Sequence, residues 1–298
     1  MLHRAGLRAS RTLDRLGPRG LCTSIPGTSG TVAVRGVNLF YRANGSAGLP
    51  LLCIPGALGT SDTDYGPQLR DLSDAFQVVS FDPRGCGQSR PPARDFPLDF
   101  YQQDADDGAA LMEALGHSRY AVMGWSDGAI AGVMLAAAHA HAVDRLVIFG
   151  GNAYMVADDI AAFEATRDAK NSWSAKTYSA RAGVYGEVEV QRMWDRAIDA
   201  WAAIYKHGRF ERDGDIRDGG DVCMAQARSV RCPTMVLHGA KDPFCLPHHP
   251  AWFKANIPGA ADVPMHVLPE GKHNIHQRHA EWVNGLVREF AGGVSSST

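Results

Sequence analysis

Apolar and polar residues alternate about Gly36 over Thr31 to Arg35 and Val37 to Arg42, the mark of a short hairpin with one buried face. From Leu49 the pattern changes to short unbroken apolar runs. Leu49 to Ile54 closes on Pro55-Gly56, and further runs follow at Gln77 to Phe81, Tyr120 to Met123, Arg145 to Phe149, Thr234 to Leu237 and Met265 to Leu268. Continuous runs of that length are strands covered on both faces. Between them Asp104 to Leu115 and Ile130 to Ala140 have the length and spacing of helices. Strand and helix in alternation predict an α/β fold, a mainly parallel sheet flanked by helices on both faces. Between Asn152 and Cys232 the rhythm breaks into Trp-bearing segments (Trp173, Trp194, Trp201) with helical spacing and no convincing buried strand, which predicts a helical insertion over the sheet.

The start of the chain stands apart in charge. Residues 1–61 carry a single acid, Asp14, against Arg4, Arg8, Arg11, Arg15, Arg19, Arg35 and Arg42. At about 100° per residue the first five arginines fall within an arc of about 80°, and Leu2, Ala5, Ala9, Leu13 and Leu16 share the opposite arc. Gly17-Pro18 then ends the helix. Such an amphipathic, Arg-rich, acid-poor leader is expected to be a mitochondrial transit peptide spanning residues 1–28, removed before the rest folds. Over the whole chain the charges nearly cancel, 30 Lys plus Arg against 32 Asp plus Glu, so no chain-wide field gathers nucleic acid. No apolar run reaches the roughly 18 residues of a spanning helix, and a soluble protein with no membrane partner is expected. The six cysteines form no C-x-x-C pair and have no histidine at finger spacing, which predicts free thiols rather than a disulfide framework or a metal site.

Chemistry concentrates at the ends of the predicted strands. Gly124-Trp125-Ser126-Asp127-Gly128 is a G-x-S-x-G between the strand Tyr120 to Met123 and the helix from Ile130, the setting in which a sharp turn pushes Ser126 clear of the sheet as a nucleophile. A serine hydroxyl needs a base, and the base needs an acid to fix its tautomer. Asp242 lies in His238-Gly239-Ala240-Lys241-Asp242-Pro243 after the next-to-last strand, and His273 lies in Pro269-Glu270-Gly271-Lys272-His273-Asn274 after the last. The order Ser126, Asp242, His273 is the α/β-hydrolase order. Glu270, Asp158 and Asp159 are rivals for the acid, but none ends the penultimate strand. The other histidines take structural readings: His238 ends a strand, His248 and His249 open a helix, and His276 lies on the helix after the last of these loops. Two backbone N–H groups should form the oxyanion hole, one from Asp127 and one from Leu58 (or Ala57) in Pro55-Gly56-Ala57-Leu58-Gly59. Asp82 to Ser89 is dense in turn residues and is expected to shape a loop.

At these words, together with Asp82 to Pro92 and Asn152 to Tyr154, the chain from about Val32 to Phe290 resembles the biphenyl hydrolase-like (valacyclovir hydrolase) family. The resemblance implies an α/β-hydrolase fold with a core of residues 29–151 and 233–298 under a helical lid of 152–232. It further implies a mitochondrial address, a triad of Ser126, Asp242 and His273, and serine esterase activity on α-amino acid esters. It implies as well that Asp127 binds the substrate's α-amino group. Ala129 departs from the second glycine common after the elbow in the family, which predicts a pocket floor tighter by a methyl.

The expected reaction is acyl transfer from a small-molecule ester through an acyl-enzyme on Ser126, with no cofactor and no metal, by a monomer. Two other readings compete. The same fold supports C–C bond hydrolysis or thioesterase chemistry, and a hydrolase fold can also serve as a non-enzymatic ligand-binding protein. A nucleophilic aspartate mechanism is excluded, because the elbow carries Ser126.

Overall fold

The computed structural model describes residues 27–292 apart from 213–214, with the side chains of 210–218 left aside. The predicted transit segment, Cys22 included, lies outside the described residues but for its last two positions.

One sheet of eight strands organises the chain, in the order β1 (Thr28–Val34), β2 (Val37–Asn44), β4 (Gln77–Phe81), β3 (Pro50–Ile54), β5 (Tyr120–Trp125), β6 (Val143–Phe149), β11 (Thr234–Gly239) and β12 (His266–Leu268). From β4 to β12 every pairing is parallel, and β1 and β2 add an antiparallel edge. The central strand β5 is buried at all six positions, which is why it reads as an unbroken apolar run. Helices α1 (Ser61–Asp64), α2 (Gly66–Asp71), α3 (Phe100–Ala114) and α4 (Asp127–Ala138) follow the early strands. Late in the chain come α10 (His248–Asn256), α11 (Ile275–Arg278) and α12 (Ala280–Gly292). In α4 every residue from Asp127 to Ala136 is buried, and its glycines and alanines let it lie close on the sheet.

Two details differ from the sequence reading. Helix α4 begins at Asp127, three residues before the expected start at Ile130, because the turn at Ser126 feeds the helix directly. The segment between β6 and β11 holds α5 (Ala157–Glu164), α6 (Ala169–Ser172), α7 (Ala175–Tyr185), α8 (Glu187–His207) and α9 (Met224–Ala227), but also short strands. A hairpin pairs β8 (Arg209–Arg212) with β9 (Asp215–Asp218), and the buried β7 (Tyr154–Met155) pairs with β10 (Gly220–Asp221). A two-residue pairing leaves no period for a sequence pattern to detect.

Candidate active site

The loops that follow β3, β5, β11 and β12 all emerge at the carboxyl edge of the parallel strands, where open α/β sheets bind ligands. They bring together residues far apart in the chain.

Ser126 sits at φ +57, ψ −124, a strained conformation for a residue with a side chain. The flanking glycines make this turn possible: a Cβ on Gly124 would stand 2.1 Å from the Gly128 carbonyl oxygen, and one on Gly128 would stand 2.0 Å from that of Ile54. Ser126 precedes α4 without capping it, so its hydroxyl is left for other partners. Its Oγ lies 3.0 Å from His273 Nε2. On the other side of the ring, His273 Nδ1 lies 2.8 Å and 3.0 Å from the two oxygens of Asp242. The N–H groups of Phe244 and Cys245 donate to Asp242 Oδ1 at 2.9 and 3.0 Å. Burial works to raise the Asp242 carboxyl, but His273 and these donors more than offset it and hold the group below the usual carboxylate range. The structure therefore joins the three residues that the sequence picked out into one hydrogen-bonded chain.

Support for His273 comes from residues the sequence did not single out. The Trp125 indole N–H donates to the His273 carbonyl at 2.8 Å, and the ring of Phe244 meets the imidazole edge-on. Behind Trp125, His276 is fully buried against Tyr65, Trp125 and Phe149, and burial drives it down to about 3.

A cavity of about 340 Å³ opens beside Ser126 and His273. Its walls include Trp194, Trp201, Phe163 and Phe244, and among the described residues Asp127 is the one acid lining it. Burial pushes the Asp127 carboxyl up to about 7, against the lowering influence of Arg94 and Tyr101. Tyr101 Oη donates to Asp127 Oδ1 at 3.1 Å, whereas Oδ2 has no hydrogen-bond partner among the described residues. Of the two oxyanion candidates in the loop after β3, Ala57 lines the cavity. Leu58 is buried at φ +55 with its carbonyl bonded to Tyr185 Oη at 3.1 Å. Ala129 is not among the lining residues. Its methyl faces Gly151, so the expected tightening of the pocket floor is not found.

The rival acids lie in other settings. Asp159 bonds His249 at 2.9 Å between α5 and α10, and Glu270 pairs with Lys241 on the surface. Asp82 ties its loop together through Ser61 and the Gln88 N–H, the structural part expected of it. Two groups, Asp159/His248/His249 and His238/Asp242/Cys245, place three possible metal ligands within 4.8 Å of one another. In the second, Asp242 is engaged by His273, and the Cys245 thiol, raised by burial, donates to the Gly151 carbonyl. The five described cysteines are unpaired, and no helix among the described residues is long and apolar enough to cross a membrane.

Comparison with known proteins places this geometry. The α/β hydrolase fold family matches residues 50–193. Serine hydrolase BPHL of Homo sapiens is 36% identical over 288 residues, covering 96% of this chain and 94% of that protein. The chain belongs to the serine hydrolase BPHL family. The Mus musculus member is also 36% identical, over 264 residues, with 88% of this chain and 86% of that protein covered. A crystal structure of a hydrolase from Pseudomonas aeruginosa PA01 shares the fold at a TM-score of 0.65 and 22% identity, covering 90% of this chain and 99% of that one. As a BPHL family member with this fold, the protein is an enzyme, a hydrolase.

Proposed function

We propose that this hydrolase cleaves carboxylic esters, above all esters of α-amino acids, by acyl transfer through Ser126. Ser126 Oγ attacks the ester carbonyl and passes its proton to His273, and Asp242 holds the imidazolium that forms. The oxyanion is received by the Asp127 N–H and by an N–H of Leu58 (or Ala57). His273 returns the proton to the departing alcohol, then activates the water that releases the acid. In this reading residues 152–232 act as a lid over the cavity, and the leader directs the chain to mitochondria.

One observation supports the amino acid ester reading. Asp127, next to the nucleophile, is a buried acid lining a cavity whose described walls hold both aromatic rings and the cations Arg181, Lys272 and Arg278, and one of its oxygens has no hydrogen-bond partner among the described residues. A buried acceptor left unpaired is costly, and a substrate ammonium that draws the carboxylate toward the cavity would satisfy it. The alternative, that Asp127 merely complements the dipole of α4, is worth about 0.3–1 kcal/mol and needs no burial. A charge-assisted bond is worth about 1.5–3 kcal/mol, or roughly 10- to 150-fold in kcat/KM. The test compares an aminoacyl ester with its N-acetyl counterpart in wild type and in Asp127→Ala, which keeps the backbone N–H. Wild type should prefer the free ammonium ester and the variant should lose that preference; a wild type indifferent to the amine overturns the reading.

A further inference from the structure

We propose that Tyr101 and Trp201 are positioning residues for amine selectivity: the Trp201 indole commits the Tyr101 hydroxyl proton to Asp127 Oδ1 and so fixes the orientation, and favours the ionised form, of the carboxylate that meets the substrate ammonium. The inference rests on the amine-binding reading of Asp127.

It follows from the donor inventory of three side chains. An indole N–H only donates, and Trp201 Nε1 lies 2.8 Å from Tyr101 Oη. The Tyr101 oxygen therefore accepts from Trp201, and its single proton is left for Asp127 Oδ1 at 3.1 Å. Both rings are 2% exposed and held by aromatic neighbours. Phe100 lies against Tyr101 with centroids 3.9 Å apart, and Phe163 and Trp194 pack on Trp201 at 4.3 and 5.3 Å. The hydroxyl thus has one orientation, and the carboxylate is anchored through one oxygen.

The parts come from different layers of the molecule. Tyr101 belongs to α3 of the sheet core and Trp201 to α8 of the segment above it, so the core alone does not complete the acid's environment. The other charged or titratable groups that bear on Asp127 are Arg94, the Asp104 it pairs with at 2.6 Å, and His273, and Arg181, Lys272 and Arg278 line the same cavity. A hydroxyl donating to a buried carboxylate favours its ionised form. Removing that donor should release the carboxylate from its orientation and make it ionise at higher pH.

The experiment measures the ratio of kcat/KM for an aminoacyl ester over its N-acetyl counterpart across pH 5.5–8.5 in wild type, Tyr101→Phe, Trp201→Phe and Asp127→Asn. The ratio cancels Ser126 and His273, which act on both esters, and the substrate amine titrates alike in every variant. In wild type the ratio should rise with pH as Asp127 ionises and fall again as the substrate ammonium loses its proton, at about pH 7.7–8.0 for an α-amino group. Tyr101→Phe, which keeps the ring, should lower it about three- to ten-fold at neutral pH and move the rising limb to higher pH; Trp201→Phe should move it the same way by less. A purely structural role lowers both esters together and leaves the ratio and its limb in place, and that result in Tyr101→Phe overturns the proposal. If Asp127→Asn abolishes the preference while Tyr101→Phe retains it in full, this inference fails and the reading of Asp127 stands. A wild type without amine preference removes both.

Discussion

Arg181 and Asp64 meet as a buried ion pair, guanidinium nitrogen to Oδ1 at 2.7 Å, with 6% and 0% of their side chains exposed. The second oxygen of Asp64 accepts the Gly56 N–H at 3.1 Å, so one carboxylate ties α7 to the loop that carries Ala57 and Leu58. Burial raises the Asp64 carboxyl, and Arg181, Thr63 and the Gly56 N–H work against that rise. Removing one member of a buried pair strands the other, at a cost of about 3–5 kcal/mol. Arg181→Met should therefore lower the unfolding free energy by about that amount in urea titration. It should also reduce kcat, because the loop after β3 loses its anchor. A variant as stable as wild type would show that water replaces the guanidinium.

Ser126 is expected to be the sole site of covalent labelling by a fluorophosphonate, read by peptide mass spectrometry. Ser126→Ala should cost at least about 10³-fold in kcat. Asp242→Asn should also lose much of kcat, because the amide presents the wrong partner to His273 Nδ1. Labelling at another serine in active protein would remove Ser126 from the mechanism.

The residues of the hydrogen-bonded chain were legible because each lies in a local word with a fixed backbone geometry. Ser126 stands between glycines that only a tight elbow needs, and Asp242 and His273 each follow an apolar run that must be a strand. The sheet was legible for the same reason: β4 has the predicted ends, Gln77–Phe81, a mainly apolar run buried at four of its five positions. Tyr101, Trp201, Arg181 and Asp64 were not legible. Their roles depend on contacts across 100 residues or more, and no local pattern in the sequence marks them. The short pairing of β7 with β10 was hidden too, since two residues carry no periodicity.

The Arg-rich leader yields an expectation about the mature protein. Protein recovered from cells should be mitochondrial, with an N-terminus between about Arg19 and Gly30 as read by N-terminal sequencing. Cytosolic protein beginning at Met1 would overturn the import reading.

Two carboxylates of the site should respond to pH with opposite sign. Asp242 is held below its ordinary value of 3.8, so its ionised form contributes stability above that pH, and the contribution fades as the solution is acidified. Asp127 is pushed from 3.8 up to about 7, so the folded protein binds this proton more tightly than the unfolded chain does. Its contribution is full below pH 3.8 and is lost as the pH rises to about 7, beyond which the penalty is constant. Three pH units at about 1.36 kcal/mol each set a ceiling of about 4 kcal/mol. Asp127→Asn has nearly the same shape and cannot ionise, so its melting temperature should match wild type near pH 4. It should exceed wild type by a growing margin up to about pH 7 and by a steady one above. Paired thermal melts at intervals from pH 4 to 8.5 give the curve. A margin that is flat with pH would mean that Asp127 titrates as an ordinary carboxylate, and one that shrinks as pH rises would mean that its proton is held less tightly in the fold. Either result would withdraw the picture of a strained acid awaiting a cation beside Ser126.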